Sequence, residues 1–258
     1  MISITWYGTF SFKLESKNKI LFDPFIRYSK RKDKIFKNNF LDVKDIFITH
    51  GHLDHTMDLV KLYKNENVKI YTTLTPYNRL LNDGIKKDNL IKLNYNDNYR
   101  IDDIDITVLQ GKHIKFDFKL ILMTIFNKNL IKYFKNLFPL IKAHLRCKEN
   151  NETVNYFIKI DKLELLFMGS MAINSETKYP KDIDYLILAY QGRSDLDKKI
   201  DEIISTINPK NIILAHFDNS FPPISSDVNI NKLKDKLKGK INLIIPNYEE
   251  KIILKDKQ

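Results

Sequence analysis

Apolar and polar residues alternate with a period of two over the first quarter of the chain. Ile2-Ser3-Ile4-Thr5-Trp6 and the stretch from Phe10 to Leu14 read as half-buried strands. Ile20-Leu21-Phe22 reads as a short buried strand closed by Asp23-Pro24, and Ile46-Phe47-Ile48 as another. Strands and helices then interleave. Strands are predicted at Val68 to Tyr71, Ile104 to Leu109, Val154 to Ile160, Leu163 to Met168, Tyr185 to Ala189 and Ile212 to Ala215. Thr75-Pro76 predicts a helix start running towards Leu81, because proline's missing N–H does no harm in a first turn. Leu196, Ile200, Ile203, Ile204 and Ile207 recur at helical spacing over Asp195 to Ile207. With no repeat, no Gly/Ser linker and no break in composition, the pattern predicts one mixed α/β domain spanning residues 1–258.

One segment departs from this rhythm. From about 114 to 150, Leu120, Met123, Phe126, Leu130, Phe134, Leu137, Phe138, Ile141 and Leu145 fall three or four apart, which predicts helices, with Pro139 as a kink or break. Lys119, Lys128, Lys132, Lys135, Lys142 and Arg146 surround them. Apolar stripes of this kind are more often buried against protein, so a cap or a homo-oligomer contact is expected first. A basic amphipathic helix lying on an anionic membrane surface comes second.

Composition narrows the picture further. An apolar share of 43% supports a large core and excludes a disordered chain. The charge-free run Leu120 to Phe126 is too short to span a bilayer, and Met1 to Trp6 lacks the basic start of a signal peptide. The single cysteine, Cys147, has no partner for an internal disulfide. A cytoplasmic location is the expectation from these three features. The net charge of +11 favours anionic partners, although the basic residues are spread along the chain (Tyr28 to Lys37 being one exposed basic loop) and no nucleic-acid module is appended.

The chemistry concentrates in one string. Three of the six histidines lie in Thr49-His50-Gly51-His52-Leu53-Asp54-His55, directly after a predicted strand. Residues two apart in extended chain point the same way, so His50 and His52 converge. A helix beginning near Asp54 would set Asp54 and His55 in its first turn. Imidazole and carboxylate are the ligands of hydrolytic zinc sites. A polar turn with chance histidines is the alternative, and the clustering argues against it. The scarce glycines add support: Gly51, Gly111, Gly169 and Gly192 all fall where a strand runs into a loop.

The H-x-H-x-D-H string resembles the signature of the metallo-β-lactamase superfamily. Ile20 to Phe25, Gly111-Lys112-His113 and Ile213-Leu214-Ala215-His216 are similar to further landmarks of that family, and the layout is nearest to its lactonase and phospholipid-phosphodiesterase branch. The resemblance implies an α+β fold, a four-layer αββα sandwich with the helical insertion at about 114–150. It implies two metal positions, one held by His50, His52 and His113 and the other by Asp54, His55 and His216, with Asp23 steadying a ligand histidine. Zinc is the expected ion, with manganese, iron and nickel as alternatives.

The pattern breaks at one position. The family usually bridges its two metals with an aspartate preceded by glycine, whereas this chain reads Gly169-Ser170. Two nearby cations repel, and a neutral hydroxyl does little to offset this. The expectation is one tight metal and a second, weaker one. Asp218, two residues after His216, is either a substitute ligand or an anchor, or else the start of a turn with Asn219 and Ser220. Tyr190 and Gln191, following a strand, are expected to line a substrate pocket. Asp54 would orient the attacking water on an anionic ester, phosphodiester or lactone. A metal-binding protein that has lost catalysis and a nuclease are the alternatives.

Overall fold

The period-two strands stack as two sheets whose inner faces meet. The computed structural model describes residues 1–26, 39–64, 66–117 and 129–255. The predicted basic loop from Tyr28 to Lys37 and the apolar run Leu120 to Phe126 lie outside the described residues. Among the described residues the first sheet contains β1 (Ile2–Trp6), β2 (Phe12–Glu15), β3 (Lys19–Phe22), β4 (Asp45–Phe47), β5 (Lys69–Thr72), β6 (Leu90–Lys92) and β14 (Lys251–Leu254), in the order β14-β1-β2-β3-β4-β5-β6. The second contains β7 (Asn98–Ile101), β8 (Ile104–Gln110), β9 (Val154–Ile160), β10 (Leu163–Met168), β11 (Tyr185–Ala189), β12 (Asn211–Ala215) and β13 (Asn242–Ile244), in the order β13-β12-β11-β10-β9-β8-β7. Each sheet is antiparallel in one half and parallel in the other: β3 to β6 run parallel, as do β10 to β13.

Alternation assigns each residue to a layer. Ile20, Phe22 and Phe47 of the first sheet meet Leu165, Phe167, Ile187 and Ile213 of the second in the central core. Phe22 and Phe167 stack there at 4.1 Å between ring centroids. The intervening residues face outwards. Leu21, Ile46 and Ile70 pack under helices α2 (Leu59–Tyr63) and α3 (Leu74–Asn82), chiefly through Leu59, Leu62, Tyr63 and Leu80, while the preceding α1 (Leu53–Thr56) joins a separate apolar cluster through Leu53. Leu166, Met168, Leu186, Leu188, Ile212 and Leu214 pack under α6 (Leu196–Ile207) and α7 (Asn231–Leu237). The result is a helix–sheet–sheet–helix sandwich, the four-layer arrangement that the resemblance implied.

Two short helices lie in the segment after β8: α4 (Asn129–Lys132) and α5 (Phe134–Arg146). The helical break falls at Tyr133 and not at Pro139, which sits inside α5. The start of α3 also differs from its prediction. Thr73 precedes the first turn and Pro76 is its third residue, a position still within the turn whose N–H groups have no helical acceptor.

Tyr63 and Tyr156 are wholly enclosed in these layers. Burial pushes both phenols well above their ordinary value of 10.0. Above pH 10 the unfolded chain therefore loses protons that the folded chain keeps, and stability falls as pH rises. An ultraviolet phenolate titration should show fewer than all 13 tyrosines ionising before far-ultraviolet circular dichroism is lost. Ionisation of the full set with the fold intact would contradict this packing.

Candidate metal centre

The site lies where four strands end on one edge of the sandwich. β4 leads into Thr49-His50, β8 into Gly111-Lys112-His113, β10 into Gly169-Ser170 and β12 directly into His216. The β4 exit is tied to the opposite sheet twice. The Tyr156 hydroxyl donates to the Ile48 carbonyl at 2.5 Å, and the Val154 amide donates to the Thr49 carbonyl at 2.8 Å. Glycine is required at two close approaches. A Cβ on Gly51 would stand 2.0 Å from the Lys148 carbonyl oxygen, and one on Gly169 would stand 2.3 Å from the Thr49 hydroxyl oxygen.

Two donor groups result. His50, His52 and His113 each offer one nitrogen, and Asp54, His55 and His216 each offer one ligand atom; within each group these atoms lie within 4.8 Å of one another. The rings of His50 and His55 are 3.9 Å apart between centroids, so the groups adjoin. The donor chemistry fits divalent ions. Three imidazoles converge with no carboxylate among them, and burial together with the neighbouring histidines pushes their protonation down, His52 to about 3. Neutral nitrogens aimed at a common point are what a cation requires.

The second group is charged. Burial would raise the Asp54 carboxyl, but His55 and His216 outweigh this and hold it well below the usual carboxylate range. Its Oδ2 is 2.7 Å from His216 Nε2 and 3.4 Å from His55 Nε2. Burial would lower His55, but Asp54 and Asp23 on either side raise it to about 10. Asp23 Oδ2 is 2.7 Å from His55 Nδ1, and the same carboxylate accepts from the Thr49 amide at 2.8 Å and the Thr49 hydroxyl at 2.5 Å. It thereby fixes the ring so that Nε2 faces Asp54.

His216 is set by an interlock that the sequence does not advertise. Its backbone is left-handed, at φ 56°, and its amide donates to the Thr9 carbonyl at 2.8 Å. The Thr9 amide donates back to both oxygens of Asp218, at 3.1 and 3.2 Å, and the Ser220 hydroxyl donates to the same carboxylate. Asp218 is therefore the anchor, and it belongs to neither donor group. Thr9 and Thr49 were missed by the sequence reading because a threonine gives no signal until its partner across the fold is known.

Three further residues find their places. Ser170 is buried beside the site, where its hydroxyl accepts from the Ile114 amide at 2.9 Å and so holds the loop carrying His113. It joins neither donor group. Tyr190 does not line a pocket. It is buried in the apolar layer under α6, because it continues the alternation of β11 by one residue. Gln191 is also directed elsewhere, donating to the Ser226 carbonyl at 3.0 Å. His144 of α5, which belongs to neither donor group, places its ring 6.0 Å from that of His52.

The metallo-β-lactamase superfamily model matches residues 6–123, the span that carries five of the donors and Asp23. Over that span the chain is similar to the metallo-β-lactamase superfamily. A UPF0173 metal-dependent hydrolase of Pyrococcus furiosus is 22% identical over 253 residues, covering 95% of this chain and 97% of that protein. Among solved structures, the metallo hydrolase Igni18 of Ignicoccus hospitalis matches with a TM-score of 0.66 at 16% identity, covering 99% of each chain. Zinc-bound PqqB of Methylobacterium extorquens matches with a TM-score of 0.59 at 11% identity, covering 95% of this chain and 87% of that one. These structural likenesses are likenesses of the metallo-β-lactamase fold.

Asparagine at Asp23 keeps the size of the side chain and removes the charge behind His55. Outer partners of this kind typically set metal affinity by about 10- to 100-fold. Asp23→Asn should therefore weaken binding at the Asp54 group by that factor while the three-histidine group changes less, as read by competition titration with a zinc chelator. Wild-type affinity at the Asp54 group in this variant would contradict the role given to Asp23.

Proposed function

We propose that the chain is a metal-dependent hydrolase acting on an anionic ester, phosphodiester or lactone. One observation carries the reading: six donors in two adjoining groups, with an ionised carboxylate, Asp54, at their junction. A divalent ion bound there would supply Lewis-acid chemistry, lowering the proton affinity of a coordinated water and polarising the scissile oxygen. Asp54 orients the attacking water, and His50, His52 and His113 fix the geometry around it. The naming of the Pyrococcus relative as a metal-dependent hydrolase supports the same class. The anionic preference is supported by Lys112 and Lys115 in the lining of a cavity of about 190 Å³ beside His113, where the other two cations, Arg193 and Lys199, are paired with Asp195 and Glu202.

Zinc is the proposed ion, and the two groups are unequal. Ser170 contributes no charge between them, so two cations would face each other with little to offset their repulsion. One equivalent binds tightly at His50, His52 and His113, and a second binds weakly at Asp54, His55 and His216. Isothermal titration of metal-free protein should resolve two steps; two equal tight steps would contradict the inequality.

The same serine favours a second reading, a metal-binding protein without catalysis. Reconstitution with zinc, manganese, iron or nickel, followed by a panel of chromogenic phosphodiesters, esters and lactones, separates the two. Hydrolysis that disappears in Asp54→Ala, while zinc still binds the three-histidine group, supports the enzyme. No turnover with any of the four metals overturns it in favour of the second reading. Salt-sensitive cleavage of RNA or DNA alone would assign a nuclease instead.

A further inference from the structure

Helix α5 presents two opposed faces. Leu140 and Ala143 are buried against Phe25, Leu53, Cys147 and Phe221. Phe134, Phe138, Ile141 and Leu145 point away and are exposed at 70%, 83%, 47% and 67%, and Ile131 of the preceding α4 is exposed at 86%. At 3.6 residues per turn those four side chains of α5 fall within about 60° of one another, so they form one stripe. Scattered exposed apolar residues are ordinary, but a contiguous stripe marks an interaction surface.

Charge selects the occupant. Between residues 129 and 148 there are five basic residues, Lys132, Lys135, Lys142, Arg146 and Lys148, and no acidic one. Lys135 and Lys142 border the stripe on one side by the same helical geometry, next to Arg146, which is paired with Asp83. A second copy of this chain is disfavoured, because a two-fold contact across the stripe would set like charges against each other. Exposed phenylalanines bordered by lysines are the composition of a helix lying in a membrane interface. Among the described residues no helix is long and apolar enough to cross a membrane, so the contact is with its surface.

We propose that the α5 stripe docks this protein onto an anionic lipid bilayer, with Phe134 and Phe138 entering the headgroup boundary and Lys135 and Lys142 meeting lipid phosphates. His144, on the other border of the stripe, lies beside His52, so docking brings the metal centre close to the bilayer surface. This holds whether or not the centre hydrolyses anything.

The test is co-sedimentation of the full chain with two kinds of phosphatidylcholine vesicle, one containing roughly 30% phosphatidylserine and the other none. Wild type should bind the anionic vesicles at low salt roughly tenfold or more tightly than the neutral ones. Phe134→Ser with Phe138→Ser, and separately Lys135→Glu with Lys142→Glu, should each reduce that binding by roughly tenfold or more. Both stripe variants replace exposed side chains, and unchanged thermal melting would show that they fold. Three results would overturn the proposal: no binding by wild type, binding indifferent to the phenylalanine changes (general electrostatic adsorption), or a dimer in analytical ultracentrifugation that the phenylalanine changes dissolve.

Discussion

Alanine at His52 should abolish the tight metal binding proposed for the three-histidine group. His52 is one of three neutral imidazoles whose nitrogens converge, and its ring lies 4.9 Å from that of His50 and 4.4 Å from that of His113. Removing it leaves two donors on adjacent chain segments, too few for tetrahedral zinc without extra water. Affinity should fall by more than the roughly hundredfold that loss of an outer partner can cost. The effect on folding should be small, because His52 is only partly buried and no hydrogen bond of its side chain contributes to the sheets. The check is zinc affinity by chelator competition alongside a thermal melt of the metal-free protein. A variant that keeps wild-type affinity would remove His52 from the site, whatever its activity.

Alanine at Gly51 should do damage of a different kind. The added methyl would overlap the Lys148 carbonyl oxygen at 2.0 Å, with the carbonyl carbon at 3.0 Å, and both atoms are backbone. No rotamer change relieves this. Either the turn between His50 and His52 moves or the chain between α5 and β9 does. Overpacking with backbone shift costs about 1–3 kcal/mol and sometimes more, and the moving turn carries two metal donors. We expect Gly51→Ala to melt several degrees lower than wild type and to bind zinc at least tenfold more weakly, at roughly 2–4 °C per kcal/mol for a chain of this size. Gly239→Ala is the control. Its Cβ meets nothing within 4 Å, so only the left-handed backbone at φ 73° is strained, at about 1 kcal/mol. Equal behaviour of the two variants would contradict the packing argument.

These two residues illustrate what the sequence made legible. The H-x-H-x-D-H string exposes its ligands because donor type and spacing are both local. His113 and His216 were assigned through the family resemblance, with a readable strand, β8 or β12, ending shortly before each. The long central strands were readable for the same reason, since both of their faces are buried by different layers. The edge strands β7 and β13 were not: Asn98–Ile101 and Asn242–Ile244 are four and three residues long, too short for a periodic signal to stand out. Tyr190 was misread because a residue after a predicted strand looks like a pocket residue until the strand's register is known. Asp218 was ambiguous because its role depends on the Thr9 amide, 209 residues away in the chain. His144 could be set beside His52 only once the packing of α5 on α1 was known.

The central claim is that six side chains spread from His50 to His216 enclose divalent cation. Anomalous diffraction from crystals grown with zinc tests it most directly. We predict a strong peak among His50 Nε2, His52 and His113, with a second, weaker peak among Asp54, His55 and His216. Zinc found only elsewhere on the molecule, with these six side chains in place and no density among them, would contradict it.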